Sequence, residues 1–373
     1  MIISLPLISP LFIQFSNNFR NLDVPLQFNA NNAYTYLEDQ LNINTTYYRI
    51  PGSQGREECA EYFIGKFKEV DANSTYVLHN FTVLSVDCQN VLFKLNEHLD
   101  NIVILASHYD SRARATKDPD EAKKDDPVPG ANDGASGCAV LLDLARIFYH
   151  LKNNLTCQLW FLFFDAEDQG YDYGPGISGW DWCEGSDKFV EDIENFYNAS
   201  REYFDAMILL DMVGGVHLQF INEQHSTSSL LDEIFEIGRY LDYTSEFPEN
   251  SIIASIRDDH VAFVDFGIPS ADLIINFWNN PSWPYHHTVN DNLAAISIDS
   301  LEVTGKTVEQ FIYNNYLVNR SYYSGNYPWL SDSNLLDTDT FIFLVIIGLA
   351  SAGIIIFLLV WRARNNKRKP IES

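Results

Sequence analysis

The sequence predicts an α/β fold: a mostly parallel central sheet with helices on both faces. Three observations carry this. Short apolar runs alternate with longer stretches of helical periodicity. The apolar runs lack the in–out alternation of a half-solvated sheet, so both faces must be covered. At 373 residues, with 46% hydrophobic and 14% aromatic content, the chain can fill one large core.

In order along the chain, residues 1–20 begin mostly apolar but contain Pro6 and Pro10 and no leading basic residue. They are too short and interrupted for a span and read as a signal or N-terminal apolar segment. Residues 28–320 form the expected main domain. Residues 30–70 are helical, with Asn31 and Asn32 as the start signal and an amphipathic stretch over 60–67. Pro51 and Gly52 make the intervening Arg49–Ser53 segment a loop. A strand–turn–strand pattern covers 76–95. Residues 102–106, 159–164 and 206–210 are short buried strands, and 272–277 is strand-like. Residues 135–150 are a helix with Leu141, Leu144, Ala145 and Phe148 on one face; 230–240 and 300–316 are also helical. Residues 112–129, charged and proline-containing, read as an exposed loop, and 321–340 as a polar stalk.

Residues 341–361 carry no charge. As a helix rising about 1.5 Å per residue they reach roughly 31 Å, enough to cross a bilayer core. The tail 362–373 follows with Arg362, Arg364, Lys367, Arg368 and Lys369 against Glu372. This pattern predicts one C-terminal transmembrane helix, a basic cytoplasmic tail and an extracellular or luminal domain. The lipid bilayer is therefore one expected partner. The net charge of −27 excludes nucleic acid as another, because phosphates need Lys and Arg to neutralise them. Sequons at Asn44, Asn73, Asn80, Asn154, Asn198 and Asn319 fit export and glycosylation. The five cysteines are an odd number without metal-ligand spacing, and one disulfide, Cys59 with Cys88, stays open. Cys138, inside an apolar helix, reads as a buried free thiol.

The chemistry lies just beyond the apolar runs: His108 in Ser-His-Tyr-Asp-Ser, Asp133 in Gly-Ala-Asn-Asp-Gly, Glu167-Asp168 in Phe-Asp-Ala-Glu-Asp-Gln-Gly, Asp211 in Leu-Leu-Asp-Met and His287 in His-His-Thr-Val-Asn-Asp. In an open parallel sheet, ligands bind beyond the carboxyl ends of the strands, so these residues fall on one rim. Imidazoles with carboxylates are the donors of a hydrolytic zinc site, and a spare carboxylate is its general base. Two neutral imidazoles and three carboxylates carry −3, which suits two zinc ions, with Asp133 as the central bridge. Taken singly, Asp133 reads as a helix N-cap and Glu167-Asp168 as an acidic turn. Asp259 divides between a cap and a substrate contact. His79, His98, His150, His217 and His225 read as surface or structural residues. Trp180, Trp182, Trp278 and Trp283 belong to a pocket or to the core.

With these motifs and the Arg-Ile-Pro-Gly-Ser loop in hand, the chain resembles the zinc aminopeptidase family M28, the bacterial leucyl-aminopeptidase and glutaminyl cyclase group, over about residues 30–318. The resemblance implies that His108 and Asp211 hold one zinc, Asp168 and His287 the other, and that Asp133 bridges them. It further implies Glu167 as general base, Asp110 orienting His108, and Asp291 serving His287 in the same way. The family usually has Glu-Glu where this chain has Glu167-Asp168, and its cyclases carry Trp where this chain has His286. The expectation is a membrane-anchored aminopeptidase acting on peptide or protein N-termini, with a glutaminyl cyclase or an inactive receptor-like homologue as alternatives. Asp259, Asp291 and His286 are candidate substrate or supporting residues.

Overall fold

Residues 24–278, 280–318 and 325–332 are described by a computed structural model. In chain order the elements are α1 (Ala30–Ile43), α2 (Gln54–Val70), β1 (Tyr76–Val83), β2 (Val86–Leu95), β3 (Asn101–His108), α3 (Ala135–His150), β4 (Gln158–Phe164), α4 (Glu184–Glu191), β5 (Tyr203–Asp211), β6 (Asn222–Glu223), α5 (Ser228–Tyr240), β7 (Ile253–Ala254), α6 (His260–Phe266), β8 (Ser270–Ile274), α7 (Ile298–Tyr316) and α8 (Trp329–Asp332). The main sheet runs β1-β2-β4-β3-β5-β8. β4, β3, β5 and β8 are mutually parallel, whereas the β1–β2 hairpin joins antiparallel through β4. The sheet is thus mixed, with its parallel half carrying the predicted ligands.

Alternate residues of each central strand enter opposite cores, which is why these strands read as continuously apolar. Val103, Leu105, Phe161, Phe163, Ile208 and Leu210 pack with the face covered by α1, α2, α3, α5 and α7. Ile102, Ile104, Trp160, Leu162, Met207 and Leu209 pack against Phe189 of α4 and Phe263 of α6. α1 starts earlier than its sequence signal, because the Asn29 side chain accepts from the backbone N–H groups of Asn31 and Asn32.

Several expectations need correction. All five cysteines, Cys59 and Cys88 included, are free and buried. The 112–129 segment is exposed only in its middle: Arg112, Thr116 and Asp118 are buried, because their polar groups are drawn into the site. Within the expected stalk, Tyr327 and Trp329 pack onto the domain, with Trp329 against Phe311. Among the described residues no helix is long and apolar enough to cross a membrane. The segments 1–20 and 341–373, and Asn319, lie outside the described residues.

Candidate metal centre

Strand pairing brings the first ligands together. His108 and Asp211 are the last residues of β3 and β5, which are adjacent and parallel. His108 Nε2 lies 3.2 Å from Asp211 Oδ1 and 3.1 Å from Asp133 Oδ1. The other oxygen of Asp133 lies 3.7 Å from His287 Nε2, which is 2.9 Å from Asp168 Oδ1. Asp133 therefore stands between two imidazoles, each with a second carboxylate of its own. The nominal N-cap of α3 is Gly134, and it makes no side-chain cap. The capping reading of Asp133 falls.

The backbone is strained around these residues. His287 itself (φ 57°), Ala166 before Glu167 (φ 63°) and Met212 after Asp211 (φ 47°) are all left-handed. Such conformations persist where the surroundings over-determine them. Gly134 (φ 91°) is also required sterically: a Cβ there would sit 2.9 Å from both the Asp110 carbonyl oxygen and His108 Cε1.

Buried polar groups fix the ligands in turn. Asp110 faces His108 Nδ1 at 3.4 Å, as expected, and accepts from the backbone N–H groups of Glu167 and Asp168 and from Gln169 Nε2. Arg49, fully buried in the Arg-Ile-Pro-Gly-Ser loop, donates to the carbonyls of Tyr109, Pro129 and Gly130. It ties the end of β3 to the approach to Asp133. Asp291 does not serve His287. Its oxygens accept from the backbone N–H groups of Asn132 (2.9 Å) and Asp133 (3.0 Å). The partner of His287 Nδ1 is instead Asp172 Oδ2 at 2.8 Å. Arg112 holds Asp168 through Oδ1 (3.1 Å) and the carbonyl (2.9 Å). Sequence reasoning missed Asp172, Arg112 and Lys117, since no motif marks them.

Glu167 is apart from the ligand set. Its Oε2 lies 4.0 Å from His108 Nδ1, and Cys183 Sγ donates to its Oε1. Burial, with the charges of Asp258 and Asp168, pushes Glu167 well above the ordinary carboxylate range despite His108. Asp259 heads α6 without capping it, and neither of its carboxylate oxygens has a hydrogen-bond partner. The capping reading falls here too, and Asp259 remains a buried acid behind the site. Asp258 is pushed up to about 7 by burial and by Asp211.

A cavity of about 590 Å³ opens over this floor, lined by Asp133, Glu167, Asp168, Asp211, His286 and His287, with Trp182, Ile253, Phe277 and Trp278 among its walls. Of the tryptophans left open, Trp182 and Trp278 thus face the cavity, whereas Trp180 and Trp283 are core. His79 is buried between Asn90 and Asp192, while His98, His150, His217 and His225 are exposed.

The donor set fits zinc. Asp133 Oδ2 and Asp168 Oδ2 are buried without a hydrogen-bond partner, an arrangement that costs free energy unless a cation faces them. Donor atoms of His108, Asp133 and Asp211 lie within 4.8 Å of one another, and atoms of Asp133 and His287 are as close, with His286 beside them. Burial alone would disfavour the His108 cation, yet Asp211, Asp110 and Asp133 hold its pKa well above the ordinary value. The surrounding carboxylates therefore make this position favourable to positive charge.

The comparisons with known proteins agree with this geometry. A glutaminyl-peptide cyclotransferase of Bos taurus is 26% identical over 298 residues, covering 71% of this chain and 77% of its own. A Bacteroides thetaiotaomicron glutaminyl cyclase, solved with N-acetylhistamine, superposes with a TM-score of 0.68 at 28% identity, covering 78% of this chain and 99% of that one. A Zn-dependent exopeptidase from Parabacteroides distasonis gives 0.68 at 27% identity, with the same coverage. The model of peptidase family M28 matches residues 90–312. With that match running over more than half of its length, this chain belongs to peptidase family M28.

Proposed function

We propose that this chain is a zinc-dependent aminopeptidase, hydrolysing the first peptide bond of peptides and proteins. The observation that carries the reading is the sharing of Asp133 between two imidazoles. His108, Asp211 and Asp133 would hold one ion, and His287, Asp168 and Asp133 a second. Zinc bound there supplies Lewis-acid activation of a carbonyl and of water. Glu167 takes one proton from the attacking water; the remaining OH bonds to the carbonyl carbon. Glu167 then returns the proton to the amine as the C–N bond breaks.

A second reading is cyclisation of an N-terminal glutamine. It is favoured by the similarity to glutaminyl cyclases. There the α-amino nitrogen attacks the side-chain amide carbon, Glu167 takes the amine's proton, and ammonia leaves with it. Incubating the purified protein with a Leu-peptide and a Gln-peptide, then weighing the products, separates the two. Loss of the N-terminal residue supports hydrolysis; loss of ammonia alone from the Gln-peptide overturns it in favour of cyclisation.

The proposal extends to topology. The uncharged run 341–361 and the basic tail support a single span with the catalytic domain outside the cytosol, and the sequon residues Asn73, Asn80, Asn154 and Asn198 are exposed. Alkaline extraction of membranes checks this: the full chain should stay with lipid, and a chain lacking 341–361 should not.

A further inference from the structure

We infer that His286 is a fixed hydrogen-bond donor to the substrate's reacting carbonyl oxygen, its tautomer set by Lys117. The inference rests on the reading of an enzyme acting at peptide N-termini, and it holds for either reaction.

Lys117 Nζ lies 2.6 Å from Asp172 Oδ2 and 2.9 Å from His286 Nδ1. An ammonium paired with a carboxylate has donors only, so Nδ1 of His286 must accept. The ring is then neutral, and its proton is on Nε2. The same Asp172 accepts from His287 Nδ1 at 2.8 Å, which puts that proton on Nδ1 and leaves His287 Nε2 as a bare lone pair facing Asp168. One ammonium and one carboxylate thus set two adjacent histidines in opposite tautomers. One becomes a ligand and the other a donor.

The arrangement is held in place. The backbone N–H of Lys117 donates to the His287 carbonyl (3.1 Å), and the Val289 N–H to Asp118 Oδ2 (3.1 Å). The His286 ring is packed between Phe277 (centroids 4.4 Å apart) and His287 (3.6 Å). A ring nitrogen of His286 comes within 4.8 Å of donor atoms of His287 and Asp133, and the residue lines the cavity. With Nδ1 committed to Lys117, what His286 can offer the cavity is an N–H. That nitrogen has no lone pair for a metal. A donor oriented in advance is what a carbonyl oxygen gaining charge requires.

The test uses the full-length zinc-loaded protein. His286→Phe keeps the ring packing and removes the donor; it should lower kcat by about 10²- to 10³-fold with KM little changed. His286→Gln, which restores an amide N–H, should recover at least tenfold of this, and both variants should keep their zinc. Long-range proton–nitrogen NMR of histidine-labelled protein should find the His286 proton on Nε2. Wild-type kcat in His286→Phe, zinc loss from it, or a proton on Nδ1 would each overturn the inference. A wild type inert on both peptides with the Nε2 proton in place would instead overturn the functional reading beneath it.

Discussion

The two imidazole poles of the rim are built by different means. His108 and Asp211 end adjacent parallel strands, and backbone ladders hold each in place, His108 opposite Phe164 of β4 and Asp211 opposite Ile274 of β8. His287 and Asp168 come from loops, and side chains of separate segments hold them: Asp172 on His287 Nδ1, Arg112 on Asp168, Trp182 stacked on the His287 ring, and Lys117 on Asp172. Asp172 shows the cost of that design. Burial opposes its charge, but His287 and Lys117 hold it down at about 2. A sheet-borne ligand tolerates loss of one partner, whereas a loop-borne ligand depends on each.

The comparison can be broken most severely at the residue the poles share. Asp133→Ala should remove zinc from both and lower kcat/KM by roughly 10⁴-fold, since the metal supplies most of the activation; full zinc content in that variant would refute the shared ligand. Glu167→Gln tests the opposite case, a residue beside the His108 pole that belongs to neither. Zinc content should stay at the wild-type level while turnover falls by about 10³-fold. Retained turnover would remove Glu167 from the base role. Asp172→Asn sharpens the difference between poles. It should weaken zinc at the His287 pole by about 10- to 100-fold and leave the His108 pole near wild type, read by zinc titration against a competing chelator. Equal weakening at both poles would mean that they are not separately supported.

The same contrast explains what was legible in the sequence. The strand-borne pole was, because an apolar run followed by His or Asp fixes both the strand and the rim position of its last residue. The helix predicted over 135–150 has those same bounds, and the predicted face of Leu141, Leu144, Ala145 and Phe148 is buried. The loop-borne pole was legible only in its ligands. Arg112 and Lys117 lie in a charged, proline-containing stretch that reads as solvated, and nothing local reveals that Asp168 and Asp172, distant in sequence, neutralise the two cations. Asp291 failed as a partner for His287 for the same reason. The family resemblance suggested the histidine, but the hydrogen bonds of Asp291 go to the backbone of Asn132 and Asp133, far along the chain. The hairpin's antiparallel docking on β4 was likewise hidden, because an apolar pattern gives a strand its faces but not its neighbours.

The most direct test of the central claim is diffraction from crystals of the zinc-loaded protein at the zinc absorption edge. The account predicts anomalous density on both sides of the Asp133 carboxylate, one peak at His108 and Asp211 and one at His287 and Asp168. Absence of any peak at this rim, or zinc bound only elsewhere on the molecule, would contradict it.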